Sequence, residues 1–154
     1  MKLTDHFSLE EFERSSTATA NHIDNHVPEA LIPSLRNLCE QVLEPLRQWY
    51  GKPITISSGY RCQALNSHPN VRGAKNSHHM KGEAADLRIP FVKAPNESLI
   101  QDMPTARKWI EFILDETSFD HLILEHDKTG HYWIHVSCKI SGNRQTYTPN
   151  LLKQ

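Results

Sequence analysis

The chain has 154 residues, a length that fits one compact domain with a single core. Its formal net charge is −1 and it has no basic block, which argues against nucleic-acid binding by phosphate neutralisation. No apolar run approaches the roughly 20 residues that span a bilayer, and the three widely spaced cysteines (Cys39, Cys62, Cys138) include no C-x-x-C pair, so they read as buried small hydrophobes rather than a zinc knuckle or a disulfide framework.

In chain order, "MKLTDHFSLEEF" carries early acids and no apolar h-region, so it is not a secretory signal. Ser8 and Glu11 form a capping-box pattern that predicts a short helix with Leu9 and Phe12 inward. From Pro28 to about Tyr50, Leu31, Leu35, Leu38, Val42, Leu46 and Trp49 recur at steps of three and four, which predicts one long helix. Pro45 should kink or split it, and Gly51 should end it. "PITISSGYR" predicts a strand, residues 61–77 a loop with a helical turn, and "EAADLRI" a second strand. "PTARKWIEFILDE" predicts a helix with Ala106, Trp109, Ile110 and Ile113 on one face. "FDHLILEHDKTGHYWIHVS" predicts a hairpin, and a last strand is expected near "RQTYT". This order favours an α+β fold, a small antiparallel sheet with helices packed on one side, in a single domain over residues 1–154.

Chemistry concentrates in "NSHHMKGEAADLRI". Histidine is abundant here, ten residues in all; His6, His22, His26 and His68 are scattered and read as surface residues. Asp86 lies in an apolar strand, where an unpaired carboxylate is costly to bury. A hydrogen-bonded core aspartate is one solution and a cation the other. Strand alternation puts His135 on the face opposite Ile134 and Val136, beside Trp133. Two histidines and one carboxylate suit a catalytic zinc site with an open position, and equally an Fe(II) facial triad. Residue chemistry alone leaves zinc and iron, and His78 and His79, undecided.

"SHHMKGEAAD" resembles the S-x-H-x-x-G-x-A-x-D signature of the zinc D-alanyl-D-alanine carboxypeptidases and related phage endolysins, a group that includes lysostaphin-type peptidases and the hedgehog domain. "WIHVS" resembles the second motif and "SGYRC…LN" the upstream one, while "HFSLEEFERSSTA" and "LEPLR" resemble the small single-domain phage and prophage members. The resemblance covers nearly the whole chain and implies a hedgehog/D-Ala-D-Ala peptidase-like fold with the zinc site on the sheet. It implies Zn2+ held by His79, Asp86 and His135, with His78 at a variable position. An iron oxygenase fits less well, because its histidine and carboxylate typically stand two residues apart, not seven.

The family's general base is an acid shortly before the last histidine ligand, often by three residues; position 132 is a tyrosine here. Glu83, Glu125 and Asp127 remain, and the hairpin favours Glu125 as a cross-strand neighbour of His135. The resemblance gives Arg61 a role in holding substrate or stabilising the oxyanion, and Ser77 a hydrogen bond near ligand or substrate. Trp133 is a candidate cleft wall, His126 and His131 flank the hairpin turn, and Gly82 should let the chain turn tightly out of the histidine pair. The expected protein is a monomeric metallopeptidase of peptidoglycan stem peptides, a D-Ala-D-Ala carboxypeptidase or L,D-endopeptidase-type endolysin. It is expected to be made in the cytoplasm without a signal, to reach the wall by phage-type release, and not to insert into membranes. The alternative is a zinc-containing cell-wall or protein-binding module with little or no turnover.

Overall fold

A computed structural model describes residues 1–153. Two short strands, β1 (Lys2–Thr4) and β2 (Phe7–Ser8), pair at the start and carry Leu3 and Phe7 into the core. Strands of two or three residues have no periodicity to read, so neither was expected. α1 (Leu9–Glu13) starts at the anticipated capping box: the Ser8 amide donates to Glu11 Oε2 at 2.7 Å, and Phe12 is fully buried. α2 (Ser16–Ala20) follows, capped by Ser15 Oγ, which accepts from the Ala18 amide at 3.1 Å.

The long helical path begins one residue later than expected. Pro28 is extended (φ −57°, ψ 140°) and precedes a 3-10 turn, Glu29–Leu31. α3 (Ile32–Leu38) continues into a π-turn, Cys39–Leu43, and then α4 (Glu44–Tyr50), which Gly51 ends at φ +76°. The π-turn resolves the Pro45 problem. Proline offers no amide to the ladder, and just before it the Glu44 amide reaches back five residues to the Cys39 carbonyl. Leu35, Leu38, Val42, Leu43 and Leu46 are all fully buried. Trp49 departs from the stripe: it is half exposed and stacks on Phe112 at the rim, ring centroids 4.9 Å apart.

β3 (Ile56–Ser58) and α5 (Gln63–Asn66) lead through the long loop to a 3-10 turn, His78–Lys81. Gly82 ends that turn at φ +67°, a conformation that favours glycine, and its missing side chain faces the Leu31 carbonyl. β4 (Ala84–Arg88) comes next, then a small ribbon, β5 (Phe91–Lys93) with β6 (Leu99–Gln101), that the residue pattern did not reveal. α6 (Met103–Glu116) buries the four expected residues. β7 (His121–His126) and β8 (Tyr132–Ser137) form the expected hairpin, and β9 (Thr146–Leu152) is the last strand.

The main sheet has the order β3-β4-β8-β7-β9. It is mixed rather than antiparallel, because β9 returns along the free edge of β7 in the same direction, with Leu122 opposite Tyr147. One face, with Ala85, Leu87, Leu122, Ile134 and Val136, packs under α3, α4 and α6 in a single core. The long helices therefore lie on one side, as expected, but the short α2 and α5 border the cleft on the other. No helix among the described residues is long and apolar enough to cross a membrane.

Candidate metal centre

The open face of the sheet carries the chemistry. Period-two alternation puts Asp86 of β4, Trp133 and His135 of β8, and His121 and Glu125 of β7 on the side away from the core. Asp86 and His135 are direct partners across the β4–β8 ladder, and Asp86 Oδ1 lies 3.0 Å from His135 Nδ1. His79 does not come from a strand end; it enters from the 3-10 turn, with Nε2 3.3 Å from the same Asp86 oxygen. One ligand atom from each of the three residues lies within 4.8 Å of the others.

These residues fit a divalent cation on their own chemistry. His79 Nδ1 donates to the Gly59 carbonyl at 2.7 Å, so its proton sits there and Nε2 presents a lone pair to Asp86. Tetrahedral ligand bonds of about 2.0–2.1 Å imply donors about 3.3 Å apart, close to the two separations from Asp86 Oδ1, 3.3 Å to His79 and 3.0 Å to His135. His79 is almost wholly buried, and desolvation pushes its pKa down, which keeps the ring neutral and able to ligate. Burial pushes the Asp86 carboxyl up, but positive charge on the two facing imidazoles outweighs it and holds the group well below the usual carboxylate range; with the His79 ring neutral, a bound cation is what supplies that charge. An ionised carboxylate between imidazoles in a nearly dry site is the environment a cation neutralises.

The other sequence candidates gather around this centre. Ser77 is buried; its Oγ accepts from the His79 amide at 3.2 Å and from Arg61 Nη2 at 3.4 Å. Arg61 is itself buried, its amide donates to the His79 carbonyl, and its Nε has no partner among the described residues. Desolvation pushes the Arg61 pKa down, against the attraction of Asp86 and Glu125. Glu125 sits opposite Trp133 and diagonal to His135, whose direct partner on β7 is Ile123. Burial, reinforced by the Asp86 charge, pushes the Glu125 carboxyl up from its ordinary value.

Glu125, Trp133, Arg61, Ser77 and the three clustered residues line one cleft of about 650 Å³. A second groove of about 250 Å³ shares Arg61, Asp86 and Trp133 with it and is walled by the hydroxyl-rich start of α2. Glu83 and Asp127 lie elsewhere, Asp127 being tied up in its turn by Thr129 and the His131 amide. His78 turns from the cluster toward Asp120, Nε2 to Oδ2 3.9 Å. His126 packs on Tyr132, and exposed His131 borders the second groove.

Some cleft residues were not anticipated. His121 has its ring 6.4 Å from that of His135, and strand alternation with Glu125 was a signal that could have found it. Arg144 and Lys153, at the two ends of β9, also reach the cleft. No local pattern marks them, because their placement depends on β9 finding β7.

The chain belongs to the peptidase M15 family, whose model matches residues 5–122. A 46-residue segment is 52% identical to a zinc D-Ala-D-Ala carboxypeptidase of Streptomyces albus G. That segment is 29% of this chain and 17% of the relative, so the likeness spans a small part of the relative's length. Glu125 and His135 lie beyond the family match and are brought to the site by strand register.

Proposed function

We propose that the chain is a zinc metallopeptidase that hydrolyses an amide bond in the peptide stems of bacterial peptidoglycan. The observation that carries this is the convergence of His79, Asp86 and His135 in one cleft with a half-buried glutamate, in a member of the peptidase M15 family. Zn2+ would be held by His79 Nε2, Asp86 Oδ1 and His135 Nδ1, and when bound it supplies Lewis-acid activation of water and of the scissile carbonyl.

The chain's own residues divide the remaining work. Glu125 takes a proton from the attacking water on a carboxylate oxygen and returns it to the leaving amine nitrogen. Its raised pKa brings it nearer neutrality, where an acid–base group works in both directions. The Arg61 guanidinium, on the cleft wall, supplies positive charge to the carbonyl oxygen as negative charge develops there. Ser77 orients Arg61 and the His79 segment together. Trp133, between the two grooves, forms a wall for the substrate backbone. A phage-type lytic role at the cell wall is the setting we propose.

The test is metal analysis of purified protein with digestion of peptidoglycan by wild type and His79→Ala. Stoichiometric zinc and cleavage by wild type alone are expected. Zinc-free protein, or equal cleavage by the variant, refutes the proposal; zinc without any cleavage points to a binding module.

A further inference from the structure

One end of the cleft is cationic, and the mechanism above does not use it. Arg144 stands on the loop entering β9 with its side chain 54% exposed, yet its fork is held in place. Asp120 is fully buried, and it accepts Arg144 Nε at 3.1 Å, Nη2 at 3.2 Å and the Arg144 amide at 2.8 Å. Lys139 and His78 each lie 3.9 Å from the same carboxylate. One carboxylate thus faces two permanent cations, and the group stays net positive. Arg144 Nη1 makes no hydrogen bond among the described residues.

The neighbouring cations are differently placed. Lys153 Nζ donates to the Val71 carbonyl and Arg72 Nε to the Pro69 carbonyl, which ties both to the loop around residue 70. Arg61 is buried against Ser77. Arg144 alone of these four combines a buried counter-ion with an exposed guanidinium edge. Such an edge, fixed before the ligand arrives, matches a carboxylate with two parallel donors at little entropic cost. It also shares the cleft with His78 and His121, which flank the metal-capable cluster.

We propose that Arg144 is a specificity-determining residue that binds a carboxylate of the substrate, with Asp120 as the residue that positions it. The substrate class is a peptide with a free carboxylate within a residue or two of the scissile amide, lying in the arm of the cleft between β7 and the loop before β9. This rests on the peptidase reading.

The experiment compares zinc-loaded wild type and Arg144→Gln on a synthetic stem pentapeptide and on versions in which each carboxylate is singly converted to a carboxamide. For wild type, one of these amidations lowers kcat/KM by about tenfold or more, as loss of a charge-assisted pair should. Arg144→Gln cleaves that carboxamide and the parent equally and retains its zinc. Indifference of wild type to every amidation, or undiminished discrimination by the variant, overturns the proposal. If wild type cleaves no stem peptide, the peptidase reading has failed separately, and calorimetric binding of the same peptides decides. Acid-selective binding that Arg144→Gln loses sustains the carboxylate site, and its absence overturns it. Should Arg144→Gln not fold, Arg144→Lys keeps a charge beside Asp120 without the planar fork; reduced discrimination supports the proposal and wild-type discrimination overturns it.

Discussion

The carbonyl of Gly59 accepts the Nδ1 proton of His79 at 2.7 Å, across twenty residues of chain, and so determines which ring nitrogen faces Asp86. Gly59 is held against α1: a Cβ there would stand 2.6 Å from Phe12 Cα and 2.9 Å from the Phe12 carbonyl oxygen. Gly59→Ala must therefore move the backbone that orients the ring. We predict a loss of about 1–3 kcal/mol in stability and a fall of about 10–100-fold in zinc affinity. Denaturant melts and competitive metal titration measure the two, and unaltered affinity would show that the carbonyl does not orient His79.

Adjacent histidines should behave oppositely. His79→Ala, Asp86→Ala and His135→Ala each remove a converging ligand atom and should purify without stoichiometric zinc. His78→Ala should keep it, because that ring is turned to Asp120. Chelation should lower the melting temperature of wild type and of His78→Ala, since an ion that binds the folded state alone stabilises it by mass action. Zinc lost from His78→Ala but kept by His79→Ala would mean that the register is misassigned.

Glu125→Gln should reduce kcat by about 10²–10⁴-fold, the usual contribution of a positioned acid–base group. Zinc content should be unchanged, because Glu125 is outside the ligand cluster. A fall of less than about tenfold would move the general base elsewhere, with His121 the next residue to change.

Acid stability should depend on a pair far from the cleft. Glu44 is buried in α4; burial pushes its carboxyl up, but hydrogen bonds from the His6 ring and amide and from Gln48 outweigh that and bring its pKa down to about 2 from an ordinary 4.5. A depressed folded-state value stabilises the protein fully above about pH 4.5, and that stability is lost as pH falls toward about 2. The contribution is up to about 3 kcal/mol. The stability gap between wild type and Glu44→Gln should be constant near neutrality and close between pH 4.5 and 2. Urea melts across that range read it directly, and a gap independent of pH would rule the pair out.

Much of this architecture is visible in the residue pattern, for identifiable reasons. α6, the β7–β8 hairpin and β4 carry strong local signals: a four-residue apolar stripe, a turn between alternating runs, and an apolar strand with one misplaced aspartate. The capping box at Ser8 is likewise a local device. The features that escaped are those set by distant partners. The parallel pairing of β9 with β7, the choice of a π-turn to absorb Pro45, and the Asp120–Arg144 pair all depend on tertiary contacts. At the site, Asp86 announces itself because a carboxylate is out of place in an apolar strand. His79 was preferred over His78 only through a family motif, because adjacent residues of one turn differ in direction and not in chemistry.

His135 lies forty-nine residues beyond Asp86, and the segment between them contains α6, β7 and the turn into β8. An ion shared by the two would act as a non-covalent cross-link closing that long loop, and loop closure costs little more for a long chain than for a short one. Metal capture would then be a late event, impossible until the hairpin has docked on β4, and the ion would lock in the finished sheet rather than seed it. Refolding in zinc should leave the rate of collapse unchanged and slow only the rate at which β8 peels away.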